Sequence, residues 1–254
     1  MTTIRIEGLT KRYGPVNAVD DLTFFPAPGR VTGFLGPNGA GKSTTLRILL
    51  GLAAPTSGQA TIDGKPYAQL SQPLRHVGAL LDSGVFHPGR SGRDSLRVEA
   101  RTHSIAAARV DEVLALVDLA ASGRRRVGGY SLGMCQRLAL AAALLGDPST
   151  LLLDEPANGL DPEGVRWLRL LIRELAGEGR TVLVSSHQLA ELAQTVDDVV
   201  IINRGRLVTH EPMSDLLERR AGSLEDIFLD LTSGEGGLPP QRPIEPSEGG
   251  RARQ

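Results

Sequence analysis

Apolar and polar positions alternate near the start of the chain, in Thr3-Ile4-Arg5-Ile6-Glu7, and apolar residues cluster in Leu22-Thr23-Phe24-Phe25 and Val31-Thr32-Gly33-Phe34-Leu35. Bounded by Pro and Gly turns, these stretches predict strands. The glycine-rich segment Gly36 to Gly41 follows, and Lys42 to Leu50 reads as a helix ended by Gly51. Gln59 to Ile62, with the turn Asp63-Gly64, and Val77 to Leu81 look like further short strands. From about Ser91 to Gly146 the spacing turns helical, with helices predicted at Ser95 to His103, Val110 to Leu119 and Leu132 to Leu145. Strand-like runs return at Thr150 to Leu153, Thr181 to Val184 and Val199 to Ile202, alternating with helices at Glu163 to Ala176 and Gln188 to Thr195. That alternation predicts an α/β domain whose mainly parallel sheet carries helices on its faces, interrupted by a helical insertion. The last 22 residues, Ser233 to Gln254, hold five Gly and four Pro with hardly any apolar side chain. Nothing there offsets the entropy of ordering, so 233–254 is expected to be a disordered tail.

Composition narrows the function classes. The 28 Lys+Arg balance 29 Asp+Glu, which argues against a dedicated nucleic-acid binder, whose footprint is a basic surplus. The single cysteine, Cys135, excludes an internal disulfide and a cysteine zinc site. A reducing, cytosolic setting follows from that usage. The first residues contain no apolar stretch of the kind a signal peptide needs, and the longest apolar run, Leu138 to Leu145, is far short of the roughly 20 residues that span a bilayer.

Three motifs carry chemistry. Gly36-Pro37-Asn38-Gly39-Ala40-Gly41-Lys42-Ser43 fits the G-x-x-x-x-G-K-Ser/Thr pattern after a strand and before a helix. Its glycines let backbone N–H groups approach phosphate oxygens, and the helix N-terminus adds its dipole. Lys42 then reaches the β- and γ-phosphates, and the Ser43 hydroxyl ligates Mg²⁺. Thr150-Leu151-Leu152-Leu153-Asp154-Glu155 is an apolar strand ending in two carboxylates. Alone, such an ending is commonly a solvated strand end. In a parallel sheet, however, ligands bind beyond the carboxyl ends of strands, which brings the pair to the phosphate site. Asp154 suits the metal shell, and Glu155 suits the position that orients or deprotonates an attacking water. His187, after the strand Thr181 to Val184, reaches the same sheet edge, where a hydrogen bond to the γ-phosphate is its expected role.

With these motifs, Tyr130-Ser131-Leu132-Gly133-Met134-Cys135-Gln136-Arg137 resembles the Leu-Ser-Gly-Gly-Gln signature of ATP-binding cassette (ABC) ATPases of membrane transporters. Asn158-Gly159-Leu160-Asp161 resembles the family's D-loop, and His187 falls where the family has its switch histidine. The resemblance covers about residues 3 to 232. It implies an ABC ATPase domain over 1–232, built as a phosphate-loop (RecA-like) core with an N-terminal antiparallel β subdomain and a helical subdomain inserted at about 83–148. It implies ATP and Mg²⁺ as ligands, with Gly36 to Ser43 and Thr44 on the nucleotide and Tyr13 stacked on adenine. It also implies a second cassette, as a homodimer when ATP is bound, with Ser131 and Gly133 contacting the γ-phosphate held by the partner chain. An integral-membrane permease would be the other partner, which places the chain in the cytoplasm on the inner face of the cell membrane.

Two departures from the family pattern concern turnover and coupling. Asp82 stands where most members have Gln at the end of the strand Val77 to Leu81, and could approach the metal through water. Leu132 and Met134 replace the usual Gly and Gln of the signature. The altered signature, His87-Pro88-Gly89-Arg90-Ser91, and Leu224 to Thr232 resemble the bacterial exporter branch of bacitracin, daunorubicin and sodium efflux cassettes. Three other readings stay open: a soluble ABC ATPase of translation or DNA repair, a small-molecule kinase, and a binding module without catalysis. Arg124-Arg125-Arg126 reads as a solvated loop face, while Trp167 and Cys135 read as packed helix residues.

Overall fold

A computed structural model of the chain describes residues 2–81, 86–186, 193–219 and 223–233. Among them, two sheets form. A three-stranded antiparallel sheet joins β1 (Ile4–Tyr13), β2 (Val16–Phe24) and β4 (Ser57–Ile62) in the order β2-β1-β4. A six-stranded sheet has the order β5-β6-β7-β3-β8-β9, with β3 (Val31–Leu35), β5 (Val77–Leu80), β6 (Thr150–Asp154), β7 (Thr181–Ser185), β8 (Asp198–Asn203) and β9 (Arg206–Pro212). Every neighbouring pair in it is parallel except β8 with the edge strand β9.

The continuous apolar runs of the large sheet follow from the period of two in a strand, which sends successive side chains to opposite faces. Leu151 and Leu153 of β6, Val182 and Val184 of β7, and Val199 and Ile201 of β8 enter one buried cluster. Leu152, Leu183, Val200 and Ile202 enter the other. A sheet covered on both sides needs apolar residues at successive positions, which the middles of these strands show, with polar residues at their ends. The first cluster is shared with the helices α3 (Gly92–Thr102), α4 (Ala107–Leu116), α5 (Leu132–Leu144) and α6 (Pro162–Gly177). The second packs α1 (Lys42–Leu49) and the antiparallel sheet through Leu46, Leu49, Phe24 and Ile62, and a short helix α2 (Pro73–His76) leads into β5.

Between β5 and β6 the described chain is helical, as the spacing predicts. α3 starts at Gly92 with Ser91 as N-cap, its hydroxyl accepting from the Asp94 N–H. The segments before and after this helix pair, with Val127 N–H donating to Arg90 O at 2.9 Å and Gly128 N–H to Pro88 O at 2.8 Å. α7 (Met213–Arg219) and α8 (Leu224–Ser233) close the described chain. Residues 234–254 of the expected tail lie outside the described residues, as do 188–192 of the predicted helix Gln188 to Thr195. No helix among the described residues is long and apolar enough to cross a membrane.

Candidate functional site

The phosphate loop joins β3, at the middle of the large sheet, to α1. Gly41 is the residue before the helix and has φ +107. A Cβ there would lie 2.4 Å from the Ala18 carbonyl oxygen, so both conformation and space demand glycine. The bend leaves the first N–H groups of α1 facing the cleft without helical partners, the usual basis of an anion site. Thr45 is buried behind the loop and its hydroxyl donates to Gly41 O at 2.9 Å.

Lys42 is 7% exposed. Its ammonium donates to the loop's own carbonyls, Gly36 O at 2.5 Å and Pro37 O at 3.3 Å. Burial lowers its pKa from the ordinary lysine value, while the nearby Glu155 and Asp154 carboxylates oppose that shift. The electrostatic link places both carboxylates at the loop, although β7 separates β6 from β3. A cleft of about 210 Å³ is lined by residues 37–44 together with Ala18, Asp154 and Glu155. Gly36 supports it from beneath, next to Ile202 of β8. Ser43 is exposed at the cleft and Thr44 is half-buried.

Asp154 is the last residue of β6, and its Oδ1 accepts from Ser185 Oγ at 2.5 Å. Ser185 ends β7 directly opposite, in register with Asp154. The Glu155 N–H donates to Ser185 O at 3.2 Å and to Ser185 Oγ at 3.0 Å. One serine therefore orients both acidic residues. The Ser43 hydroxyl and the Asp154 carboxylate are hard oxygen donors on the same cleft, a donor set that fits Mg²⁺ shared with phosphates rather than a soft metal.

Other predicted residues lie elsewhere. Ser131 is the exposed N-cap of α5, and its hydroxyl accepts from the Met134 N–H at 3.2 Å. Gly133 is half-buried against the Gly159 carbonyl. Neither lines the cleft around Lys42. Tyr13 is 51% exposed near the end of the β1–β2 hairpin, with Lys11 Nζ 4.8 Å from its ring centroid, and it does not line that cleft either. Asp82 and His187 lie outside the described residues. Arg124, Arg125 and Arg126 are exposed. Cys135 is half-buried, and burial raises its thiol pKa. Trp167 packs against the core with the Arg137 guanidinium 4.1 Å from its ring centroid, which ties α6 to α5.

Three contributors were not singled out by sequence reasoning. Ala18 lines the cleft only because β2 passes beside Gly41, a tertiary approach with no local sign. Ser185 lies one residue past the predicted strand Thr181 to Val184, and the structure includes it in β7. Gln136, 4% exposed, donates its side-chain amide to Pro156 O at 2.9 Å and to Glu155 O at 3.4 Å. A polar residue at a buried position of the helix Leu132–Leu144 marks it only once the fold is known.

Comparison with known proteins agrees with this architecture. The family model for ABC transporters matches residues 19–158. The chain is 43% identical to the bacitracin transport ATP-binding protein BcrA of Bacillus licheniformis, over 88% of this chain and 74% of that protein. It is 37% identical to the daunorubicin resistance ATP-binding protein DrrA3 of Streptomyces coeruleorubidus, over 90% of this chain and 74% of that protein. Among solved structures, the ATP-binding subunit of an ABC transporter superposes with a TM-score of 0.81 at 26% identity, covering 90% of this chain and 99% of that one.

Proposed function

The chain belongs to the ABC transporter family as an ATP-binding, ATP-hydrolysing subunit, and we propose that it drives export of drug- or peptide-class compounds through a separate integral-membrane permease. The observation that carries this reading is the division of the site. The phosphate loop, Asp154 and Glu155 share one cleft, while Ser131 stands exposed at the start of α5, where free N–H groups favour an anion. An ATP seated in the cleft leaves its γ-phosphate to be met by Ser131 and Gly133 of a second copy. The names of two relatives, a bacitracin transport protein and a daunorubicin resistance protein, support the reading of drug- and peptide-class cargo.

In this mechanism Lys42 exchanges the Gly36 and Pro37 carbonyls for the β- and γ-phosphates. Gly36, Pro37, Asn38, Gly39, Ala40, Gly41 and Thr44 cradle the phosphates, and Tyr13 carries the adenine. Ser43 and Asp154 would hold Mg²⁺, with Asp82 in its outer shell; the ion's contribution is to neutralise charge on the phosphates. Glu155 orients the attacking water and takes its proton, and His187 hydrogen-bonds the γ-phosphate. Binding closes two copies around two nucleotides, and hydrolysis reopens them on the cytoplasmic face of the membrane.

The test is affinity purification of the tagged Glu155→Gln chain with ATP from detergent-solubilised membranes of its host. A stoichiometric polytopic membrane protein is the expected companion. Recovery with ribosomes or DNA-repair proteins instead would reject the transporter role while leaving the nucleotide site standing.

A further inference from the structure

Glu155 has φ +51, a left-handed backbone that L side chains rarely adopt and that persists only where the surroundings fix it. From the sheet side, Ser185 fixes it by accepting its N–H. A second fixing group is Gln136, whose Nε2 donates to Pro156 O at 2.9 Å and Glu155 O at 3.4 Å. The other end of the same turn is gripped by the same helix. Leu132 lies so close over Gly159, itself at φ +78, that a Cβ on that glycine would fall 2.4 Å from Leu132 Cγ. Leu132 and Gln136 are four residues apart and therefore share one face of α5. That face holds the 155–160 turn at both ends, while the first turn of the helix carries Ser131 at its N-cap.

We propose that Gln136 is a positioning residue for Glu155: its amide sets the backbone from which the carboxylate projects into the cleft. It also ties that carboxylate to the helix that meets the partner's nucleotide. When Ser131 engages the γ-phosphate bound by the second copy, a shift of α5 is passed through Gln136 to the Glu155 of its own chain. Each cassette thereby sets its own water-orienting carboxylate according to whether the neighbouring site is filled. The inference rests on the role given to Glu155 above.

The test uses the full chain with Mg-ATP and the substitutions Gln136→Met and Gln136→Glu. Methionine keeps the length and burial and removes the amide donors; glutamate keeps the shape and replaces donors with acceptors. The expected result is a fall in kcat of about ten- to a hundredfold, the scale of a misplacement near 1 Å. KM for ATP stays unchanged, and an ATP-bound dimer accumulates as it does for Glu155→Gln. Unchanged kcat would overturn the proposal, and so would loss of ATP binding and dimerisation together with kcat, which marks a merely structural role. The melting temperature shows which variant is folded, and either folded variant decides the question. Glu155→Gln is the control: if it hydrolyses ATP normally, the role of Glu155 itself has failed. If it is inactive while the Gln136 variants run at full speed, only the positioning role has failed.

Discussion

The phosphate loop and the start of α5 are both glycine-containing turns that open a helix, yet the structure treats them in opposite ways. The loop is a finished half-site. Lys42 is buried, its ammonium is held by carbonyls of its own loop, and two carboxylates converge on it from β6. The α5 turn is an unfinished one. Ser131 and Leu132 are exposed, Leu132 at 63%, and neither reaches the cleft of its own chain. Leu132 is one of several large apolar side chains left exposed, and it stands beside a helix start that favours an anion. On the proposed function, the contrast is between a phosphate seat on one chain and, at the start of its α5, a contact offered to the neighbour's nucleotide.

Several changes would break or sharpen that contrast. The largest effect is expected from Glu155→Gln, which removes the proton acceptor: steady-state hydrolysis should fall by about a hundredfold or more while ATP still binds. Next is Ser131→Ala. It should lower turnover by about ten- to a hundredfold through lost phosphate stabilisation, with nucleotide affinity of the unpaired chain intact. The same change removes the N-cap of α5, so thermal unfolding should register a loss of about 1 kcal/mol. If instead Ser131→Ala weakened nucleotide binding to the monomer, the two half-sites would not be separate.

Acid should act on the loop half. His210 of β9 is 6% exposed, stacked edge-on against Phe24, and burial lowers its pKa to about 4 from 6.5. In the unfolded chain it binds a proton near 6.5 and in the folded chain only near 4. The unfolded state therefore holds more protons in that window, and stability is lost as pH falls from 6.5 towards 4. Between pH 7 and 5 the loss should be about 2 kcal/mol. His210→Leu should reduce that acid sensitivity in thermal melts at the two pH values. The smallest effect is expected from Trp167→Leu, which removes the Arg137 stack; a loss of about 1 kcal/mol in a denaturant melt, with little change in KM, is the expected result.

What the sequence showed, and what it hid, follows the range of the forces involved. The phosphate loop and the Asp154-Glu155 strand end are local patterns, and the parallel core was legible from apolar runs on β6, β7 and β8. The edge strand β9 was not, because its Thr209, His210 and Glu211 are polar side chains that are nevertheless all buried. Polar residues hidden by tertiary packing carry no periodicity to find. The β1–β2 hairpin is longer than its alternation suggested because register shifts between Ile6 and Arg12 interrupt the period of two. Gln136 stood within a quoted motif, but its purpose depends on a turn 19 residues later in the chain, which only the fold brings to it.

The most direct measurement of the divided site is the solution mass of the Glu155→Gln chain by light scattering, first with Mg-ADP and then with Mg-ATP. A divided site requires the 27.0 kDa monomer with ADP and twice that mass with ATP, the doubling being lost when Ser131 is also changed to Arg. A chain that binds ATP fully and stays monomeric would contradict it.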